Sequence, residues 1–331
     1  MLRLSILFIL LSSFALTHTQ KDSTNPEEGN VNIKIPAAWV DKLRHLDYTT
    51  DNSSLLREFE TFLTPDTLAN PHSQHVDPDY GRVLNTLFVN LDGDAANEFI
   101  ALLGRDITSP YLCVFKEKQG TWYLIYREEI PTMYTSPPLA VANCFSKNKT
   151  FYIRRVYQSG SGIYEDGYCF YKLIHNKVYK CLQIVNDAHI YGWGLYLNQA
   201  VRTSFEFSSD GDDCIAVDYI YNFFPGQLSK DQCAWCINDN IPLIKGDAPV
   251  TYIWDHRQSK YILKILRYPN PLEDLDAAKI SCFGDFGNDS LFVRAFAAQI
   301  KDALKTGTAQ QKRILTQYLT LVKKETKTSK L

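Results

Sequence analysis

The stretch with the clearest chemical content is Phe88-Val89-Asn90-Leu91-Asp92-Gly93-Asp94-Ala95-Ala96-Asn97-Glu98, which runs directly into Phe99-Ile100-Ala101-Leu102-Leu103. Oxygen-bearing side chains stand at loop positions one, three, five and nine: Asn90, Asp92, Asp94 and Glu98. Calcium takes about six to eight oxygen ligands, and alternate side chains on a tightly turned loop can converge on one ion. The backbone carbonyl of Ala96, at position seven, would add another. The expected metal set is therefore Asn90, Asp92, Asp94, Ala96 and Glu98, with calcium pinning a turn between two core strands. On this reading millimolar calcium raises Tm, and Asp92→Ala abolishes the rise. An EF-hand is excluded, because position twelve is Ala101 inside an apolar run.

Such a loop has to be held by strands. From Leu84 onward the chain breaks into short apolar-rich runs at 84–91, 97–103, 111–117, 121–127, 138–145, 150–157, 166–174, 177–185, 200–207, 213–223, 250–255 and 260–266. Turn clusters such as Gln119-Gly120 and Ser159-Gly160-Ser161-Gly162 separate them. Many short strands with turn residues between them indicate antiparallel β architecture. The run 97–103 is apolar on both faces after its start, which predicts a central, buried strand. Helices are expected at both ends. Pro36 suits a first helical position, and Trp39, Val40, Leu43 and Leu46 recur at helical spacing; Leu55, Phe59 and Phe62 mark a second helix. Near the C-terminus Leu291, Phe292, Phe296, Ile300 and Leu304 form a stripe that ends at Thr306-Gly307. Thr308 with Gln311 reads as a capping box for a helix carrying Ile314, Leu315, Tyr318, Leu319 and Val322. The expected fold is mainly β with terminal helices: antiparallel sheets, propeller-like or alternatively a β-sandwich, and a C-terminal helical hairpin. The expected divisions are a signal peptide over 1–20, a polar linker and short helices over 21–81, the β domain over 82–270, and the hairpin with a basic tail over 271–331.

A strand, the acidic loop and an apolar strand in succession resemble the FG-GAP or VCBS type of repeat, found in blades of calcium-bearing β-propellers. Pro110-Tyr111-Leu112-Cys113-Val114-Phe115 and Gly120-Thr121-Trp122-Tyr123-Leu124-Ile125 look like the outer strands of such a blade, so the resemblance covers residues 84–127. It implies calcium and an extracellular, often adhesive role, in some families beside a catalytic domain. Two positions depart from the pattern. Asn90 stands where the family usually has aspartate, which removes a charge. Ala95 replaces the glycine of position six, where a left-handed backbone costs an alanine about 1–2 kcal/mol.

Bulk properties narrow the setting. Met1-Leu2-Arg3, the apolar run from Leu4 to Leu16 and the small polar residues after it have the three-part form of a cleavable export signal, with cleavage expected near Thr19 or Gln20. The run is shorter than the roughly 20 apolar residues a membrane span needs, and no longer one follows. The expected destination is secreted or periplasmic. Without Arg3 the chain carries 34 basic residues against 37 acidic ones, a balance that argues against a nucleic-acid partner. The 20 Tyr and 18 Phe favour strands. All eight cysteines lie beyond the signal, as disulfides in an exported chain would require. Cys169 and Cys181 flank a turn at His175-Asn176-Lys177 and make an expected cross-strand pair. Cys233-Ala234-Trp235-Cys236 has redox spacing, but Pro225-Gly226 before it and Asn238-Asp239-Asn240-Ile241-Pro242 after it leave no helix, so a structural disulfide is expected there.

The remaining motifs weigh less. His72, His75, Asp77 and Asp79 share a loop without metal-site spacing. Glu128-Glu129 and Glu165-Asp166 are paired acids of the kind glycosidases use, although fold rather than adjacency places catalytic carboxylates. Tyr191-Gly192-Trp193-Gly194-Leu195-Tyr196 could stack on sugars if exposed and is core if buried. Asn52, Asn148 and Asn288 open glycosylation sequons. Asp285-Phe286-Gly287-Asn288-Asp289 reads as a helix cap, Asp210-Gly211-Asp212-Asp213 as a hairpin turn, and the terminal Ser329-Lys330-Leu331 as a chance match to the peroxisomal address. Together these point to an exported, calcium-supported β protein that binds a protein or glycan; the alternative is an extracellular hydrolase with its site in the β-domain loops.

Overall fold

Val31, Ile33 and Ile35 alternate with Asn30, Asn32 and Lys34, a period of two, and in the computed structural model these residues form a strand, β1 (Asn30–Ile35), within the 21–81 stretch expected to hold only a polar linker and short helices. The structure describes residues 29–63, 82–104, 110–131, 139–142, 147–160, 162–190, 197–208, 213–226, 241–264 and 289–328. The export signal, the His72–Asp79 loop, Cys233 and Cys236, the 191–196 aromatic run, Asp285 to Asn288, Asp210 to Asp212 and the last three residues lie outside the described residues.

After β1 come two helices, α1 (Ala37–Arg44) and α2 (Ser53–Glu60). Four strands follow: β2 (Arg82–Phe88), β3 (Glu98–Gly104), β4 (Tyr111–Lys118) and β5 (Thr121–Glu129). With β1 they build a five-stranded antiparallel sheet in the order β1-β5-β4-β3-β2. The chain then forms a second sheet from β6 (Leu139–Val141), β7 (Thr150–Gly160), β8 (Ile163–Ile174), β9 (Lys177–Ile190), β10 (Leu197–Phe207), β11 (Cys214–Pro225), β12 (Ile244–Asp255) and β13 (Lys260–Lys264). Its eight strands lie in simple sequence order and pair antiparallel throughout. Three helices end the chain: α3 (Asp289–Ala295), α4 (Ala297–Thr306) and α5 (Ala309–Thr328).

The mainly β class with terminal helices is as expected. Among the described residues neither sheet closes into a barrel or a ring of blades, so the propeller-like form is not seen. Side-chain alternation sorts the core into three layers. On the outer face of the first sheet, Phe99, Ala101, Leu103, Cys113 and Phe115 pack under Trp39, Val40 and Leu43 of α1 and Leu56 and Phe59 of α2. On its inner face, Ile100, Leu102, Leu112 and Val114 meet Phe151, Ile153, Cys169, Tyr171 and Leu173 of the second sheet. Strand β3 is buried along its whole length, as its composition predicted, and lies inside the sheet between β4 and the edge strand β2, with β4 at the centre. The far face of the second sheet takes the C-terminal helices, where Phe292, Phe296, Ile300, Leu315, Tyr318 and Val322 pack on Phe170, Tyr221 and Phe223.

The second sheet curls strongly around that last layer. The Tyr261 hydroxyl of β13 reaches Thr150 Oγ1 of β7 at 2.8 Å. The buried Lys172 ammonium of β8 pairs with Asp213 and lies 4.6 Å from the Trp254 ring centroid and 5.4 Å from that of Tyr261. The C-terminal hairpin is present, but its first helix is interrupted at Phe296, whose side chain stays in the core. The capping box is half made. Thr308 Oγ1 accepts from Gln311 N at 3.2 Å, while the Gln311 amide turns away to donate to Pro242 O and Leu243 O.

The outer strand β2 is sealed locally by Asn52, at the start of α2. Its side-chain Nδ2 donates to Val83 O at 3.1 Å and its Oδ1 accepts from Val83 N at 2.8 Å, imitating one step of a sheet ladder. At 3% exposure this asparagine is not presented for glycosylation. Asn148 is also engaged, donating to Leu173 O at 2.7 Å. Asn52→Ala would strand two buried backbone groups, so a stability loss of about 1–3 kcal/mol in urea melts is the expected outcome.

Candidate functional site

Glu98 opens β3 and stands directly opposite Lys116 of β4 in the sheet register. Alternation puts Glu98 on the same face as Ile100 and Leu102, and Lys116 on the same face as Val114 and Leu112, so both point toward the second sheet. The loop before β3 turns at Gly93, whose φ is +68°. The left-handed residue of the loop is Gly93, and Ala95 is not among the residues with positive φ, so alanine at position six carries no such strain. A Cβ on Gly93 would come within 2.8 Å of Lys147 Cγ, because the loop packs against the segment leading into β7. Lys149 N donates to Leu91 O at 2.7 Å, joining the loop to that segment.

Asp92, Asp94 and Glu98 converge. Each offers an oxygen within 4.8 Å of the others, close enough to share a metal ion. Each carboxylate also divides its work. One oxygen stitches the loop backbone: Asp92 Oδ1 accepts from Asp94 N at 3.3 Å, Asp94 Oδ1 from Ala96 N at 2.7 Å, and Glu98 Oε2 from Leu91 N at 2.9 Å. The other oxygen faces Lys116 Nζ, at 2.6 Å from Asp92 Oδ2, 2.7 Å from Asp94 Oδ2 and 2.8 Å from Glu98 Oε1. The first two contacts are hydrogen bonds and the third is an ion pair. Burial works against the charge of Lys116, but its three carboxylate partners outweigh that and raise its pKa, holding the ammonium protonated. The Lys116 hydrogen bond lowers the pKa of Asp94, whereas burial raises that of Glu98 despite the same partner.

The other two members of the expected ligand set do different work. The Asn90 amide serves the turn: its Nδ2 donates to Asp94 O and its Oδ1 accepts from Gly93 N, both at 2.6 Å. Ala96 contributes the N–H that holds Asp94. Lys116 is the residue that sequence reasoning missed. The available signal was a lysine in phase with Leu112 and Val114 at the end of an otherwise apolar run.

A second polar cluster joins the two sheets. Glu128 of β5 accepts from Tyr126 Oη at 2.6 Å, Tyr171 Oη at 2.8 Å, Arg155 Nη1 at 2.7 Å and Lys180 Nζ at 2.7 Å. Burial would raise its pKa, yet the Lys180 and Arg155 charges and the hydrogen bonds bring it below the ordinary carboxylate value. Beside it is a cavity of about 450 Å³ lined by Gly29, Arg127, Glu128, Glu129 and Lys180. A carboxylate held ionised by four donors is a poor proton donor.

The acids Glu165 and Asp166 separate into different environments. Asp166 accepts from Arg154, from Tyr164 Oη at 2.9 Å, and through its other oxygen from Asn186 Nδ2 and Asp187 N. Glu165 is fully buried, and neither of its oxygens has a hydrogen-bond partner among the described residues. Burial, reinforced by the neighbouring Asp166 charge, pushes its pKa up to about 8.

The expected Cys169–Cys181 disulfide is overturned. Both cysteines are free, as are Cys113 and Cys214. The turn is the two-residue His175-Asn176, with φ of +50° and +64°, so Ile174 pairs with Lys177. A register shift after Phe170 then sets Cys169 opposite Gln183. Cys169 ends in the layer between the sheets and Cys181 in the layer under the C-terminal helices, on opposite faces.

No protein-family model, curated protein or solved structure matches the chain. Among the described residues, no helix is long and apolar enough to cross a membrane.

Proposed function

We propose that this chain is an exported β-sheet protein that binds a protein or glycan without catalysing a reaction, and that its acidic loop is a cation seat with an architectural role. The convergence of Asp92, Asp94 and Glu98 on the face that meets the second sheet carries the cation-seat part of this reading. A carboxyl that moves protons needs an oxygen within reach of a substrate. Here one oxygen of each side chain is committed to the loop backbone and the other to the seat. The loop also bonds to the strand entering the second sheet through Leu91 and Lys149, so fixing the loop fixes the joint between sheets. With the Lys116 ammonium out of the seat, calcium is the divalent ion this all-oxygen set would suit. Export is supported by the apolar run from Leu4 to Leu16 behind Arg3. The hydrolase alternative would centre on the cavity beside Glu128 and Glu129, where the four donors on Glu128 disfavour acid catalysis.

The architectural role is tested by Asp92→Ala. Its expected effect is a Tm lowered by about 5–10 °C with the far-ultraviolet circular dichroism of the folded state unchanged. A melting curve that overlays the wild type would mean the seat bears no structural load.

A further inference from the structure

The calcium that the loop's resemblance implies does not fit the seat as folded, because the Lys116 ammonium already stands there. We propose that Lys116 is the loop's resident cation: a charge carried on β4 in place of a metal ion, so that the loop closes without calcium and becomes a divalent-cation site only when that ammonium is removed. The inference rests on the cation-seat reading of the loop.

Three features of the geometry support it. The Lys116 ammonium donates hydrogen bonds to Asp92 Oδ2 at 2.6 Å and Asp94 Oδ2 at 2.7 Å, and its charge stands 2.8 Å from Glu98 Oε1, so one oxygen of each carboxylate faces it. A calcium ion would stand about 2.3–2.6 Å from those same oxygens. The two cations would therefore need the same point in space. Second, Lys116 is held in phase by the strand register that sets it opposite Glu98, and its side chain is only 2% exposed. Of the three acids, Asp94 alone has a largely exposed side chain, at 45%, so the seat opens to solvent on that side, while Lys116, at 2%, enters it from within. Third, Asn90 withholds the fourth charge. Its neutral amide is spent on Gly93 and Asp94 backbone, which leaves an oxygen set better matched to a single positive charge than one with a fourth carboxylate would be.

The experiment compares metal-stripped wild type with Lys116→Met, by thermal melts and by equilibrium dialysis against calcium alone. Wild type should shift by less than about 1 °C in millimolar calcium and retain no ion. Lys116→Met should melt about 5–15 °C lower without calcium, recover at least half of that loss when calcium is added, and take up one ion per chain. A calcium-dependent rise of several degrees in wild type, or one ion retained by it, would overturn the inference while leaving the cation seat standing. Lys116→Met that melts like wild type without calcium removes both readings. A destabilised Lys116→Met that neither binds calcium nor recovers also overturns the inference, since the seat would not be a metal site in disguise. If Lys116→Met does not fold, Lys116→Gln takes its place, and dialysis of wild type decides independently.

Discussion

Glu128→Ala should lower the unfolding free energy by about 3–5 kcal/mol, which in a chain of this size lowers Tm by on the order of 10 °C. The reason is the company Glu128 keeps. Arg155 and Lys180 project from two strands of the second sheet onto one carboxylate of the first, and the three side chains are only 14–17% exposed. Removing the anion leaves two cations and two tyrosine hydroxyls facing each other in the layer between sheets. The penalty comes from the stranded charges, not from lost attraction alone. Accordingly Glu128→Leu combined with Arg155→Met and Lys180→Met should recover most of the loss. A triple variant no more stable than Glu128→Ala would show that the cluster contributes through packing instead. The pH dependence has a definite sign. The folded-state pKa of Glu128 lies below its ordinary value of 4.5, so its contribution is present above that value and is lost as pH falls through the folded-state value.

Glu165 should produce the opposite limb. Its folded pKa of about 8 lies above the ordinary 4.5, so between those values the folded chain holds a proton that the unfolded chain has released. Stability therefore falls as pH rises through this window and levels off above about pH 8. Glu165→Gln keeps the shape and removes the titration. The expected result is a variant close to wild type at the acid end of the window and more stable by about 2–5 kcal/mol above its alkaline end. Urea melts of both proteins across the window measure this directly. Parallel curves would mean that Glu165 is ionised in the fold, against its full burial and the lack of a hydrogen-bond partner among the described residues.

Several features were legible in the sequence for physical reasons that do not need the fold. Alternation of apolar residues marks strands because a strand exposes alternate faces, and β1 carries that signal in Val31, Ile33 and Ile35 between Asn30, Asn32 and Lys34. The stripe from Phe292 to Val322 marked helices because spacing of three and four is intrinsic to helical geometry. The acidic loop was visible because its carboxylates lie within seven residues of one another, from Asp92 to Glu98. Local order of this kind is written in local spacing.

The rest depended on register and on partners distant in the chain. Lys116 reaches Asp92 across 24 residues, and only the pairing of β3 with β4 decides that a lysine, not an ion from solution, faces the acids. Glu128 meets Arg155 and Lys180 across 27 and 52 residues, a junction that exists only once two sheets stack. Cys169 and Cys181 looked like partners along the chain, yet strand alternation and a register shift put them on opposite faces. Nearby residues set whether a described segment is strand or helix, because that choice answers to local spacing. Tertiary structure alone decided which charges meet, because a buried charge takes its partner from whatever neighbouring strand the register brings opposite it.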